Sequence, residues 1–490
     1  MTRRNPFPPV LWVLLAVLSF RMFSFLVHEP MWGYGNNYDQ VRYTGCVGVF
    51  PHRPGVDPGL YSPEAPLELF SRQPAVEAPC LWTSELVFVG AFAAGLASEE
   101  AKGEDGIGSV RTVGIARAML LFMMLATLVE VLVRRREFAV AIGLAAAAAA
   151  VLADPAMLLW ANTFYAEFTS IIAAVASVGV LLLAWSGARS IGLAAAMVVA
   201  AVALALGKVQ YGPLPLALAL GFALATWGGA AALRAARLRA LVPFAFAAVV
   251  GLAAQLVSIS RTDDPALPLW QKVGTFNFVF NGVLGSSADP VRTTKRLELP
   301  DACATLASKT IFDYAAREEW EAACPEAFAL TRAGVLARIL AQEPATLMRL
   351  LGRAFIALDP WVQNELGHVA GESYGDVTRE RASLGTLLGD WRALSLAVVI
   401  APLAWIVLAL AVPRWRAAGG HAWLAAWLAN AIIWQQLLLT AVGDGVHDLS
   451  RQAFLVYAAA LAWIVGCAAA WAGRRLPRWA TGPDEGALRL

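Results

Sequence analysis

Apolar residues recur along this chain in runs of roughly 20. That length carries a helix rising 1.5 Å per residue across ~30 Å of hydrocarbon. The first run spans Val10 to Val27, and others lie near 112–133, 138–154, 168–186, 190–207, 213–230, 241–259, 393–413, 421–440 and 452–472. The pattern predicts an all-α polytopic membrane protein with about ten transmembrane helices. Two stretches break the rhythm, 28–111 and 260–392, and both read as large external loops. Within the first, Glu85–Ser98 is apolar but short, and is expected to lie along the membrane surface. Within the second, Leu330, Val335, Leu336, Ile339 and Leu340, then Leu347, Leu350 and Leu351, keep helical spacing, with Pro344 between the two sets. Two helices in a small helical domain are predicted there. The chain accordingly divides into an N-terminal membrane module (1–259), an external helical loop domain (260–392) and C-terminal membrane helices (393–490).

Charge gives the runs a direction, because short cytoplasmic connections are enriched in Lys and Arg. Every second connection is basic: Arg134-Arg135-Arg136, then Arg189, then Arg234 with Arg237 and Arg239, then Arg414 with Arg416. The opposite connections hold Asp154, Asp263, Asp264, Asp444 and Asp448. Both termini are then expected inside, with Arg3 and Arg4 at one and Arg474, Arg475 and Arg478 at the other. His28, Glu29 and Pro30 offer no small-residue cleavage site after the first run, so it reads as a retained helix rather than a signal peptide.

Composition agrees with the pattern. Hydrophobic residues make up 59% of the chain and charged residues 15%, against about 25% charged in soluble domains, and the mean hydropathy is +0.60. A net charge of +2, with no basic patch interleaved with aromatics, gives no basis for nucleic-acid binding. Four of the five cysteines fall in the external loops, Cys46 with Cys80 and Cys303 with Cys324. An even pair in each oxidising loop predicts two disulfides, against the alternative of four free thiols. Cys467, inside the last run, reads as a small apolar residue.

Ionisable residues gather at the predicted outer ends of separate helices, where they commonly mark a site. Asp39 and Arg42 follow the first helix. Glu167 opens the fourth. Lys208 and Tyr211 end the fifth. Asp444, His447, Asp448 and Arg451 join the ninth to the tenth. Each has a plainer reading: a local ion pair for Asp39 and Arg42, a favourable helix-start charge for Glu167, a snorkelling Lys208, a solvated turn for Asp444 and Asp448, a structural His447. Arg21, well inside the first run, either snorkels or meets an anionic lipid head. Taken together, the carboxylates can serve as general base on a hydroxyl, and the cations can hold a phosphate. Asp444, Asp448 and His447 can orient an acceptor or hold a divalent metal, Mg²⁺ or Mn²⁺. This is the chemistry for moving a sugar from a lipid phosphate to an acceptor outside the cytoplasm.

Three stretches, NNYDQVR (36–42), ANTFYAEFTSI (161–171) and FNFVFNGVLGSSADP (276–290), together with the ending GDGVHDLSRQAFLVY (443–457), carry a family resemblance. With the acidic first loop and the many spans, they resemble the GT-C superfamily of integral-membrane glycosyltransferases, and within it the bacterial family of glycan-biosynthesis hexose transferases. The resemblance implies a polyprenyl-phosphate-linked sugar donor, a glycan or lipid acceptor, and a bacterial inner-membrane location with an extracytoplasmic site. It implies Asp39 as catalytic base, Glu167 as a second acidic site residue, and Arg42, Lys208 and Arg451 on the donor phosphate. From Arg296-Leu297-Glu298-Leu299-Pro300 onward the second loop matches no pattern of that family. A transporter or flippase, and a polymerase or ligase, of lipid-linked glycans are the alternatives.

Overall fold

In this computed structural model the described residues are 7–32, 37–55, 67–76, 78–227, 231–261, 267–358, 384–446 and 449–475, without the side chains of 37–39, 231–234, 236, 385–386, 413–419, 444, 450 and 451. The chain forms two compact units, one of 1–262, 361–433 and 457–490, the other of 263–360 and 434–456.

The first unit opens with α1 (Pro9–Leu26), which starts on a proline pre-set for a first helical position. Two helices, α2 (Asn37–Thr44) and α3 (Leu86–Ala101), lie in the first loop. Between and after them run β1 (Val49–Pro51), β2 (Leu69–Arg72) and β3 (Ile107–Ser109), a three-stranded antiparallel sheet in the order β1-β2-β3. This sheet corrects the all-α expectation. Its strands hold three or four residues each, too few for an alternating pattern to stand out. Val89, Ala93 and Leu96 recur on one face of α3 and pack with Val49, Leu67 and Phe70 from the loop. The disulfide Cys46–Cys80 ties the exit of α2 to the approach to α3.

The helices of this unit continue with α4 (Arg111–Arg134), α5 (Phe138–Ala147, extended by a π-helical turn, Ala148–Leu152), α6 (Pro155–Leu158), α7 (Ala166–Trp185), α8 (Ile191–Ala205), α9 (Leu214–Ala225) and α10 (Ala231–Arg261). Their connections sort to two ends. At one, Arg135 donates to the Ser186 carbonyl at 3.1 Å, Ser186 Oγ meets His421 Nε2 at 3.1 Å, and Arg237 donates to the Thr226 carbonyl at 2.6 Å. At the other, the Ser84 N–H donates to the Leu206 carbonyl at 3.0 Å and the Trp82 N–H to Ser258 Oγ at 2.7 Å.

The second unit holds α11 (Leu267–Phe276), a π-helical stretch (Asn277–Leu284), α12 (Pro290–Arg296), α13 (Arg317–Ala323), α14 (Arg332–Gln342) and α15 (Pro344–Ala357). The last two are the helices expected on either side of Pro344, which takes the first position of α15. A second disulfide, Cys303–Cys324, closes the segment before α14. The chain ends with α16 (Leu384–Asp390), α17 (Arg392–Ala411), α18 (Pro413–Asp444, broken at Gly420), α19 (Leu449–Gln452) and α20 (Phe454–Gly473).

Seven helices among the described residues are long and apolar enough to cross a membrane: α1, α4, α7, Arg237–Arg261 of α10, α17, Gly420–Gly443 of α18, and α20. Three shorter apolar helices, Phe138–Leu152, Ile191–Ala205 and Val209–Ala225, stand where the sequence predicts the other spans. The first two stop just before polar turns, at Asp154 and at Lys208. Arg21 is half-buried, and its guanidinium donates to the Ala149 carbonyl at 2.9 Å, on the π-helical turn. A π turn leaves carbonyls outside the regular ladder.

The two disulfides predict a labelling count. Denatured without reductant, the protein takes up one thiol reagent, at Cys467, and five after reduction. Intact-mass measurement reads both numbers.

Candidate functional site

Arg117 sits one turn and a half into α4 and is fully buried, as is Glu85 at the start of α3. The two form an ion pair. The same guanidinium donates to the carbonyls of Ala161, at 2.9 Å, and Thr163, at 2.5 Å. Glu85 in turn accepts from Thr169 Oγ1 at 2.6 Å. One buried cation therefore fixes the irregular segment between α6 and α7 against α4 and the first loop. A buried charge is tolerated only when paired and hydrogen-bonded, and this one has three anchors. Gly114, almost one turn before Arg117, permits the approach: a Cβ there would stand 2.2 Å from Asn162 Oδ1.

The segment so held presents its residues to the first loop. The Phe164 N–H donates to Gln40 Oε1 at 2.6 Å. The Phe164 ring enters the loop's apolar core, edge-on to Phe70 with centroids 4.8 Å apart. Glu167, in the first turn of α7, is fully buried and pairs with Lys208, whose side chain is 16% exposed. Lys208 follows α8 in an extended turn before Tyr211, so its stem leads inward to Glu167. Thus α2, which carries Asp39, is hydrogen-bonded through its next residue to the segment that carries Glu167. Arg42 lies on the same helix, and its carbonyl accepts from the Leu81 N–H at 2.8 Å, beside the Cys46–Cys80 bridge. The side chain of Asp39 lies outside the described residues. A buried carboxylate against a partly open ammonium is an arrangement that can pass a proton and receive an anion.

The second unit brings together the other two stretches. Asn281, on the π-helical stretch, accepts from the Val446 N–H at 3.2 Å and donates to the Ser308 carbonyl at 3.2 Å. Arg332 donates to the Gly443 carbonyl at 2.8 Å. Gly445 has φ +69°, and a Cβ there would meet the Asn277 carbonyl at 2.8 Å, so both backbone conformation and space call for glycine. Arg353 secures the Asn281 carbonyl at 2.9 Å. These contacts hold the turn that leads into His447 and Asp448, which lie outside the described residues, as do the side chains of Asp444 and Arg451.

Among the described residues one trio of metal-ligating side chains lies close enough to share an ion, Cys303, Cys324 and Glu326. Its cysteines are joined to each other, which leaves them no thiolate to offer. Glu85, Arg117 and Gln40 are site residues that the sequence reading did not single out. Arg117 carried a signal, an arginine inside an apolar run. Glu85 and Gln40 carried none, because their roles depend on partners distant in sequence, Arg117 and Thr169 for Glu85 and Phe164 for Gln40.

Arg117→Met leaves Glu85 buried without its cation and is expected to lower stability by about 3–5 kcal/mol. Glu85→Met combined with Arg117→Met is expected to cost less than the two single changes summed. Thermal unfolding of the purified variants in detergent measures both.

No curated protein and no solved structure matches the chain. A family model does: the YfdI N-terminal transmembrane domain matches residues 10–482. Multiple apolar helices and a match over nearly the whole length lead to one conclusion: this multi-pass membrane protein belongs to the YfdI N-terminal transmembrane domain family.

Proposed function

We propose that the protein is a GT-C-type glycosyltransferase that moves a sugar, by the resemblance a hexose, from a polyprenyl-phosphate donor to a glycan or lipid acceptor on the extracytoplasmic face of the bacterial inner membrane. The observation that carries this reading is the hydrogen bond from Phe164 to Gln40. It joins the stretch containing Asp39 and Arg42 to the stretch containing Glu167, with Lys208 paired to Glu167 beside them. In the proposed reaction Asp39 removes the proton of the acceptor hydroxyl. The hydroxyl oxygen bonds to the anomeric carbon, the bond from that carbon to the phosphate oxygen breaks, and polyprenyl phosphate leaves with the electron pair. Arg42 and Lys208 balance the charge on the leaving phosphate. Glu167 keeps Lys208 turned toward the site. Arg451 keeps the donor-phosphate role that the resemblance implies, and Asp444, Asp448 and His447 keep the acceptor- or metal-orienting role expected from the sequence. The basic connections at the opposite end of the helices support the assigned sidedness.

One observation favours a transporter instead: a charged pair, Glu85 and Arg117, is buried among the apolar helices. Its guanidinium is committed to Glu85 and two backbone carbonyls, which fits a brace better than a path for cargo.

The deciding experiment offers polyprenyl-phosphate sugars to purified protein in lipid nanodiscs, with lipid-linked and free glycan acceptors. Wild type is expected to release polyprenyl phosphate and to form one new glycosidic bond. Asp39→Asn is expected to lose that release by at least a hundredfold while inserting and melting as wild type does. Full activity in Asp39→Asn removes that residue's role. Movement of an intact lipid-linked glycan across vesicles, with no covalent product, establishes the transporter.

A further inference from the structure

We propose that a cleft at the basic end of the first unit binds the phosphate-bearing head of an anionic membrane lipid. The cleft lies among α7, α8 and α10 and has a volume of about 160 Å³. It is far along the helices from the Glu85–Arg117 pair and is independent of the glycosyltransferase reading. Its walls are apolar, with Trp185, Leu193, Ala194 and Met197 among them, and two arginines stand on it, Arg189 before α8 and Arg239 from α10. Neither arginine has an acidic partner among the described residues. Arg239 makes only a 3.3 Å bond to a carbonyl of its own helix, Ala235. The neighbouring Arg237 is differently placed: it is held by Thr226 and lies over the Trp227 ring. No carboxylate lines the cleft, so its two cations face a volume without a counter-charge.

The first turn of α8 adds donors. Ser190 Oγ takes the Leu193 N–H at 3.0 Å, and the N–H groups of the first helical positions, Ile191 and Gly192, have no carbonyl within the helix to receive them. Two guanidiniums and free helix-start donors suit a phosphate. The surroundings argue for a lipid carrying it rather than a dissolved anion. Ile191, Leu238 and Val242, close in sequence to the lining residues Ser190 and Arg239, are exposed apolar residues, and α8 continues from the cleft as an apolar helix along which an acyl chain can lie. Basic clefts between membrane helices at a headgroup level are matched by anionic lipids, each Lys or Arg strengthening the attraction several-fold.

The test uses full-length protein stripped of lipid, with native mass spectrometry during titration of phosphatidylglycerol, phosphatidylcholine of the same chains, or inorganic phosphate. Wild type is expected to bind phosphatidylglycerol about tenfold more tightly than phosphatidylcholine. Arg189→Gln with Arg239→Gln removes that preference. Ala194→Trp fills the cleft with both charges kept, and also removes it, so the test survives if the double variant misfolds. An unchanged preference in a folded variant overturns the site. Inorganic phosphate bound as tightly as phosphatidylglycerol, and unaffected by Ala194→Trp, makes the cleft a small-anion site and overturns the lipid assignment.

Discussion

The first unit depends on the burial of Arg117. A guanidinium without water must satisfy its donors from the protein, and here the partners come from three distant parts of the chain: Glu85, and the carbonyls of Ala161 and Thr163. Removing Glu85 strands charge in an apolar interior, and moving either carbonyl away weakens the guanidinium's buried hydrogen bonding. The irregular segment 159–165 therefore cannot drift, although it has no regular ladder of its own. Its fixed course aims the Phe164 N–H at Gln40 and starts α7 with Glu167 facing Lys208. The ring of Phe164, seated in the core of the first loop, adds apolar burial to the same connection. Polar and apolar terms thus act on one junction, and the loop's sheet, α3 and disulfide stiffen the other side of it.

The second unit solves a similar problem differently. A π-helical stretch leaves Asn281 and the Asn277 carbonyl outside a regular α-helical ladder. Asn281 then binds the backbone of Val446 while Gly445 closes on Asn277. In each unit, two stretches far apart in sequence meet through a side-chain amide and a backbone N–H. Both contacts specify position more than they add stability, since one hydrogen bond contributes about 1 kcal/mol.

Much of this was legible in the sequence because membrane physics is strict. Apolar run length placed the long helices, and alternating basic connections separated the ends that the structure also separates. Pro344 marked a helix start, and each loop's pair of cysteines marked a bridge. The small sheet was not legible, because three-residue strands such as Val49–Pro51 have no period to read. The short helices ended earlier than their apolar runs, since hydropathy does not register where Lys208 must leave the helix to reach Glu167. Glu85 looked like the edge of an apolar stretch, and only the fold reveals its cation. The resemblance singled out the four stretches that pair, but not the residues, Arg117 and Asn281, that pair or support them.

The central claim is that the first loop and segment 159–165 form one cooperative element held by Arg117. Hydrogen–deuterium exchange on Arg117→Lys tests it, because lysine keeps a cation for Glu85 but lacks the planar fork that meets Glu85 with one nitrogen and both carbonyls with the other. Peptides covering 40–48 and 158–167 are expected to lose protection together, to a similar extent, while the body of α7 beyond residue 172 keeps its own. Loss in 158–167 alone, with 40–48 unchanged from wild type, would contradict the account.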